Sequence, residues 1–265
     1  MGRNMFKNIL DLKYHDEPSV FEPQNLLREA RRQKSLKECT IPKVCVLDPD
    51  GDTVRYLKKN KAELNTCWAC YHSELYNAIY RDFSFGIIGC AVGASYAVLL
   101  AEQLFVSGCE LLISVTSSGK LNEKITKDYV LIEDSLRDEG TSYHYIPADE
   151  KSVLDVQLSQ RLEPLFTNTV LSVQRGKSWT TDAPYRETVL AIENAKENGA
   201  DCVEMEASAL YAFSKAKKRR VVCFAHLTNS MAQKNGDFEK GAENGSLTSL
   251  ELIYQTAKLL MPNEN

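Results

Sequence analysis

A chain of 265 residues, 43% hydrophobic and 26% charged, can fill an extended core and lies outside the disordered and fibrous classes. Its formal net charge of -4 offers no field to attract a nucleic-acid backbone or an anionic membrane, so neither is an expected partner. No run is long and apolar enough to span a bilayer, and residues 1–18 lack the apolar core of a secretory signal, so the expected location is cytoplasmic.

Residues 1–40 are polar, with a helical pattern over 24–34, and are expected to form an N-terminal arm ahead of a domain spanning 41–265. Phe6 stands where a myristoylation signal needs Ser or Thr. Val44-Cys45-Val46-Leu47 reads as a buried strand closed by the turn cluster Asp48-Pro49-Asp50-Gly51, with a helix over 52–61. A second strand is expected at 85–90, and Gly93-Ala94-Ser95 opens an apolar helix to 106. The third strand, 111–115, ends in the polar turn Thr116-Ser117-Ser118-Gly119. Further strands are expected at 129–132, 170–173, 202–205 and 221–225, and helices at 185–195, 207–215 and 247–260. This alternation points to an α/β fold with a largely parallel, covered sheet. The basic runs Arg31-Arg32 and Lys217-Lys218-Arg219-Arg220 read as solvated helix ends.

The 8 cysteines are expected to be free thiols, with Cys45, Cys90, Cys109, Cys202 and Cys223 in or beside apolar runs. Cys67-Trp68-Ala69-Cys70 has the spacing of a redox pair or a zinc half-site. His72 is near, but no second ligand pair follows, so no metal site is expected. Two phosphate-loop readings fail. Ser117-Ser118-Gly119-Lys120 ends like a Walker loop, but Ser114 and Leu121 break the pattern, and Gly86, Gly89 and Gly93 do not make G-x-G-x-x-G.

The most informative segment is Val203-Glu204-Met205-Glu206-Ala207, where an apolar strand passes into a helix. Two carboxylates there are costly unless they bind something, or unless they complement the helix dipole. Glu204-Met205-Glu206 resembles the ribose-binding motif of the nucleoside phosphorylase family, closest to its uridine phosphorylase branch. Other pieces resemble that family in the same order: Asp50 to Arg55 its phosphate loop, Gly93-Ala94-Ser95 its Gly-Pro-Ser helix start, and Ser117-Ser118-Gly119 its Thr/Ser-rich turn. Arg137 to Ser142 and Thr180 to Tyr185 resemble two further loops, and Asn229 falls where that branch carries Asn. The resemblance covers residues 42–260.

What it implies is a single-domain three-layer α/β/α fold with a mixed central sheet, in a homo-oligomer that acts on a small-molecule nucleoside. The implied reaction cleaves the N-glycosidic bond, by phosphorolysis to ribose 1-phosphate and free base. The implied catalytic residues are Glu206, Asn229 and Asp182. Glu204, Met205, Gly93, Ser117, Trp179, Tyr185 and Arg137 would line the substrate, and Gly51, Arg55 and Ser117 the phosphate. No cofactor is expected beyond phosphate as co-substrate. Trp179 and Tyr185 stack on the base or pack in the core, and Asp182 binds the base or serves as a turn residue before Pro184.

The pattern also departs from the family. Ser114 stands where an arginine is expected, Trp68 where a neighbouring subunit's arginine is expected, and Arg186-Glu187 replaces the uracil-reading Gln-x-Arg. His72 or Arg137 would have to compensate. A nucleosidase using water, a non-catalytic nucleoside-binding module and a thiol protein using Cys67 and Cys70 are therefore alternatives. His226 reads as a core histidine, His144 lies in a family-like loop, and His15 is placed to reach a partner subunit.

Overall fold

The computed structural model describes residues 10, 13–167, 170–230 and 238–262. The chain begins with α1 (Pro23–Lys34), β1 (Val44–Asp48), α2 (Asp52–Lys59), β2 (Glu63–Leu64), β3 (Tyr76–Tyr80) and β4 (Phe83–Gly89). It continues with α3 (Ala94–Val106), β5 (Leu111–Lys120), β6 (Tyr129–Asp138), β7 (Ser152–Val153), α4 (Val156–Arg161) and β8 (Val173–Thr181). The last elements are α5 (Val189–Glu197), β9 (Cys202–Glu204), α6 (Ala207–Lys217), β10 (Val221–Asn229) and α7 (Ser246–Leu260).

All five residues of β1 are buried, because it runs parallel between β4 and β5 with helices over both faces. From β5 the sheet closes into a ring, since β10 pairs with both β5 and β6, and β8 and β9 complete the circuit. The β10–β6 and β5–β9 pairings are antiparallel and the rest of the ring is parallel, so the sheet is mixed. Helices α1, α3 and α6 pack together, as do α2, α4 and α7, giving the three-layer α/β/α architecture. Helix α6 is enclosed, with residues 207–214 all buried, and small residues on it and on α3 permit close approach. Phe105 and Phe213 meet across this contact with ring centroids 5.7 Å apart. Fully burying one such ring contributes about 2 kcal/mol.

Several strand boundaries differ from expectation. Residues 116–119, read as a turn, continue β5 and pair with β10, and β6 and β10 run on to Asp138 and Asn229. The strand expected at 170–173 is instead β8, starting at Val173. Ring closure explains the extensions, because the polar halves of these strands still find ladder partners and interior hydroxyl contacts. Ser178 Oγ donates to Ser135 Oγ at 2.8 Å, and Ser135 Oγ lies 2.7 Å from Thr180 Oγ1. The helix expected at 185–195 divides into a short turn, Pro184–Arg186, and α5, whose N-cap Thr188 accepts from Ala191 N.

The cysteines are not all free, as composition had suggested. Cys39 and Cys67 form a disulfide with Cα atoms 5.3 Å apart, leaving Cys70 buried and unpaired with its C-x-x-C neighbour. The bridge joins the segment after α1 to the loop before β3, two places no sequence spacing relates. Leu27 and Ala30 of α1 pack on Ala69 of that same loop. Among the described residues, no helix is long and apolar enough to cross a membrane.

Candidate active site

The carboxyl ends of β1, β5 and β9 and the loop after β4 converge, as open α/β sheets arrange their ligand sites. Glu204 and Glu206 both enter here, at 4% and 1% exposure, yet their roles diverge. Glu204 Oε2 accepts from the backbone N–H groups of Glu206 and Ala207, each at 2.7 Å, and its Oε1 accepts from the Thr180 hydroxyl. It is saturated and caps α6, as a carboxylate at a helix N-terminus should.

Glu206 is not saturated. Its Oε1 accepts from Gly93 N at 2.7 Å, while Oε2 is buried and has no partner among the described residues. The neighbouring Thr116 hydroxyl donates to Ser117 O at 3.3 Å. Burial and the charge of Glu204 push the Glu206 carboxyl up to about 8, against the opposing pull of Gly93 N and Thr116. Glu204, with more donors, is the better stabilised anion of the pair, so the proton stays on Glu206. Met205, between them, is partly exposed. Gly93 has φ +94° and open space where a side chain would begin, so its turn needs glycine and leaves room before Glu206.

The loop between β1 and α2 faces the same region from the other side. Asp48 is buried, accepts from Val54 N at 2.8 Å, and is pushed up to about 7 by burial and by the charges of Asp50 and Asp52. Asp50 Oδ2 accepts from Ser117 N at 2.8 Å. Asp52 accepts from Arg55 Nη2 and from Lys240 Nζ, both at 2.6 Å. Burial opposes its charge, but these two bonds outweigh it and hold Asp52 below its ordinary value. Lys240 also lies 3.6 Å from Asp50, held there as Glu239 N donates to Thr228 O at the end of β10. Gly51 has φ +75°, and a side chain there would meet Cys90 Sγ at 2.7 Å; its N–H already donates to Asp48 O at 2.9 Å. Ser114 is buried, its hydroxyl without a partner among the described residues.

The structure thus brings together Glu204, Met205, Glu206, Gly93, Ser117, Gly51 and Arg55. It uses several other sequence candidates differently. Arg137 is taken up by its own loop: Nε donates to Ser142 Oγ, and the two Nη atoms donate to the carbonyls of Ile146, Pro147 and Glu150. Trp179 is buried with Leu121, Ala195, Ala200 and Val203, and its Nε1 donates to Asp138 at 2.9 Å. Tyr185 is 99% exposed and stacks on no ring among the described residues. Asp182 is exposed and accepts from Gly140 N at 2.9 Å, which joins two loops. Asn229 ends β10 opposite Gly119, its Nδ2 donating to Thr228 Oγ1 at 3.3 Å. Trp68 packs in the core.

Of the histidines, His72 lines a cleft of ≈ 660 Å³ with Arg55 and Cys90. His226 stacks on Tyr129 with centroids 4.5 Å apart, and burial lowers its pKa, which fits a core residue. His144 lies 3.3 Å from Lys13, and His15 lies 3.0 Å from Tyr143 O of its own chain. The residues that sequence reasoning missed are Asp50, noted only as part of a turn and loop, and Lys240, which carried no signal.

The sequence model of the Phosphorylase superfamily matches residues 48–255. The chain belongs to that superfamily. An uncharacterised protein of Acanthamoeba polyphaga mimivirus is 32% identical over 137 residues, covering 50% of this chain and 51% of that protein. The match therefore spans about half of that relative's length. A DeoD-type purine nucleoside phosphorylase of Brevibacillus brevis is 24% identical over 69% of this chain and 79% of its own. Among solved structures, uridine phosphorylase from Vibrio fischeri ES114 shares the fold with a TM-score of 0.69 at 19% identity, over 88% of this chain and 99% of that one. Superfamily membership and the mixed sheet agree with the resemblance drawn from Glu204-Met205-Glu206.

Proposed function

We propose that this phosphorylase-superfamily chain cleaves the N-glycosidic bond of a nucleoside, with Glu206 as the ribose-binding carboxylate. The observation that carries the reading is the Glu206 Oε2 atom, buried and unpartnered among the described residues. Burying such an oxygen without a donor is unfavourable, and the 2′ and 3′ hydroxyls of a ribose supply donors in the space before Gly93. Met205 packs beneath the sugar. As the bond to the base breaks, positive charge grows on the ribose ring, and a carboxylate fixed beside it favours that charge more in the transition state than in the ground state. Asn229 and Asp182 are the groups nearest in role to a leaving base.

Superfamily membership favours phosphate as the acceptor, held by Gly51, Arg55 and Ser117 and giving ribose 1-phosphate. We also read the chain as one subunit of a homo-oligomer, a reading supported by Tyr185, Val189 and Leu190, which stand 99%, 72% and 77% exposed in one short stretch. The test of the cleavage reading is base release from purine and pyrimidine nucleosides by the native protein and by Glu206→Ala, followed by chromatography. Release by the native protein that survives Glu206→Ala undiminished removes Glu206 from the reaction. Binding without any release leaves only a nucleoside-binding module.

A further inference from the structure

The C-x-x-C segment takes no part in the proposed cleavage, and the fold sets a third cysteine against it. Cys39, exposed at the end of the arm, is bridged to Cys67, with Cα atoms 5.3 Å apart. Cys70, further along the same loop as Cys67, is a free thiol and only 2% exposed. Its Sγ accepts from His72 N at 3.4 Å. The disulfide therefore has an exposed cysteine at its arm end and a buried free thiol close to Cys67 at its loop end.

The bridge is one of several ties between the arm and this loop. Leu27 and Ala30 pack on Ala69, and Gln33 Oε1 accepts from the Tyr71 hydroxyl at 2.8 Å. Lys34 Nζ donates to Ala69 O at 3.1 Å and to Cys70 O at 2.5 Å. The disulfide is the covalent tie, and it closes a separation of 28 positions. Beyond Cys70 the loop runs on to His72, whose carbonyl accepts from the Tyr96 hydroxyl at 2.6 Å. Cys70, Tyr71 and His72 line the ≈ 660 Å³ cleft together with Arg55 and Cys90. The bonding state of Cys67 thus bears on one wall of the cleft that holds Arg55.

We infer that Cys39, Cys67 and Cys70 form a thiol–disulfide exchange site, in which Cys70 displaces Cys39 from Cys67 and so unpins the N-terminal arm from the loop beside the Arg55 cleft. The Cys70 thiol gives up its proton to solvent, and its sulfur bonds to the Cys67 sulfur as the Cys39–Cys67 bond breaks. The bond pair leaves on the Cys39 sulfur, which takes a proton from solvent. One disulfide is lost and one is made, so the step consumes no oxidant or reductant. What changes is the segment that is closed. A bridge across 28 positions is exchanged for one that closes the C-x-x-C segment alone, and the arm regains the freedom that the longer closure had removed. Burial shields Cys70 from reagents in solvent, while the exposed Cys39 is a leaving group that water receives readily.

The test treats the native full-length protein with N-ethylmaleimide in the absence of reductant, then maps labelled and bridged peptides by mass spectrometry after an acid quench. Cys90, a free and exposed thiol, reports the access of the reagent. The expected result is label on Cys90 first and on Cys39 later, with Cys67 and Cys70 recovered as a bridged pair, because an alkylated Cys39 cannot re-form its bond. Cys70→Ser, or Cys70→Ala if serine is not tolerated at this buried position, should slow the labelling of Cys39 at least about tenfold and keep the Cys39–Cys67 bridge. Fully labelled Cys90 with no label on Cys39 overturns the inference. So does label on Cys70 beside an intact Cys39–Cys67 bridge, labelling of Cys39 that is undiminished in the Cys70 variant, or zinc held by these thiols in place of the bridge. Hydrogen exchange tests the unpinning separately: amides of α1 should exchange at least about tenfold faster in the Cys39-alkylated protein than in Cys70→Ser. Equal protection in the two overturns the release of the arm.

Discussion

The proposed ribose half and the proposed anion half of this site are both built from acidic residues at strand ends, and they differ in what is left unbonded. At Glu206 one carboxylate oxygen is satisfied by Gly93 N and the other is buried with no partner among the described residues. At Asp50 and Asp52 the carboxylates meet Ser117 N, Arg55 and Lys240, and the donors of the loop are consumed by the chain itself. A binding site is defined by the groups a fold leaves unsatisfied. The first half has kept a vacancy of that kind; the second has filled its own.

The sharpest way to break this contrast is at Glu206. Glu206→Ala should lower kcat/KM for base release at least about 100-fold, because it removes a contact that strengthens in the transition state. Steady-state kinetics that show less than a tenfold fall would place the sugar elsewhere. The neighbouring carboxylate should respond in a different currency. Glu204→Gln exchanges one acceptor oxygen for an amide that cannot serve the Glu206 and Ala207 N–H groups and the Thr180 hydroxyl equally well, so about 1–3 kcal/mol of stability should be lost. Urea denaturation that leaves Glu204→Gln unshifted would deny it the capping role.

The pH response should separate the halves further. Glu206 must be ionised to hold the ribose hydroxyls, so kcat/KM of the native protein should climb with pH towards about 8 and level off above it. A flat profile across that range would count against the assignment. The same group should affect stability with a defined sign. Its folded pKa of about 8 lies above the ordinary 4.5, so the native state holds the extra proton and stability falls as pH rises between those values. Glu206→Gln should therefore melt higher than the native protein above pH 8, with the difference vanishing below about pH 4.5. The smallest effect belongs to the anion half. Since the Arg55 guanidinium is already held by Asp52, Arg55→Ala should raise the KM for phosphate by less than about threefold. A larger rise would show that the pair opens to grip the anion.

Much of the segment proposed to bind ribose stood out in the linear chain. An apolar strand carrying Glu204 and Glu206 into a helix is unusual enough to signal a site, and Gly93 and Gly51 marked the turns before α3 and α2. The division of labour between the two glutamates was not legible, because it depends on which one meets Thr180 of β8 and which meets Gly93. Trp179, Arg137 and Tyr185 were candidates by segment resemblance. Their neighbours decide otherwise, as Trp179 falls into a small core and the Arg137 donors go to Ile146, Pro147 and Glu150. The Cys39–Cys67 bridge escaped because its partners are brought together by α1 folding against the loop before β3.

The order of strands and helices and the α/β class follow from hydrophobic periodicity, and the Glu204-Met205-Glu206 segment stands out as a short motif; both signals act within a few residues of themselves. Which polar groups remain available is decided at distances near 3 Å between residues far apart in the chain. Glu206 meets Gly93 across 113 positions, Asp50 meets Ser117 across 67 and Lys240 meets Asp52 across 188. Hydrogen bonds saturate, so each long-range contact subtracts a donor or acceptor that a motif alone would count as free. That subtraction happens only on folding, when the strand ends converge, and it separates a carboxylate left with one unpartnered oxygen from a loop whose donors are already bonded to the protein's own aspartates.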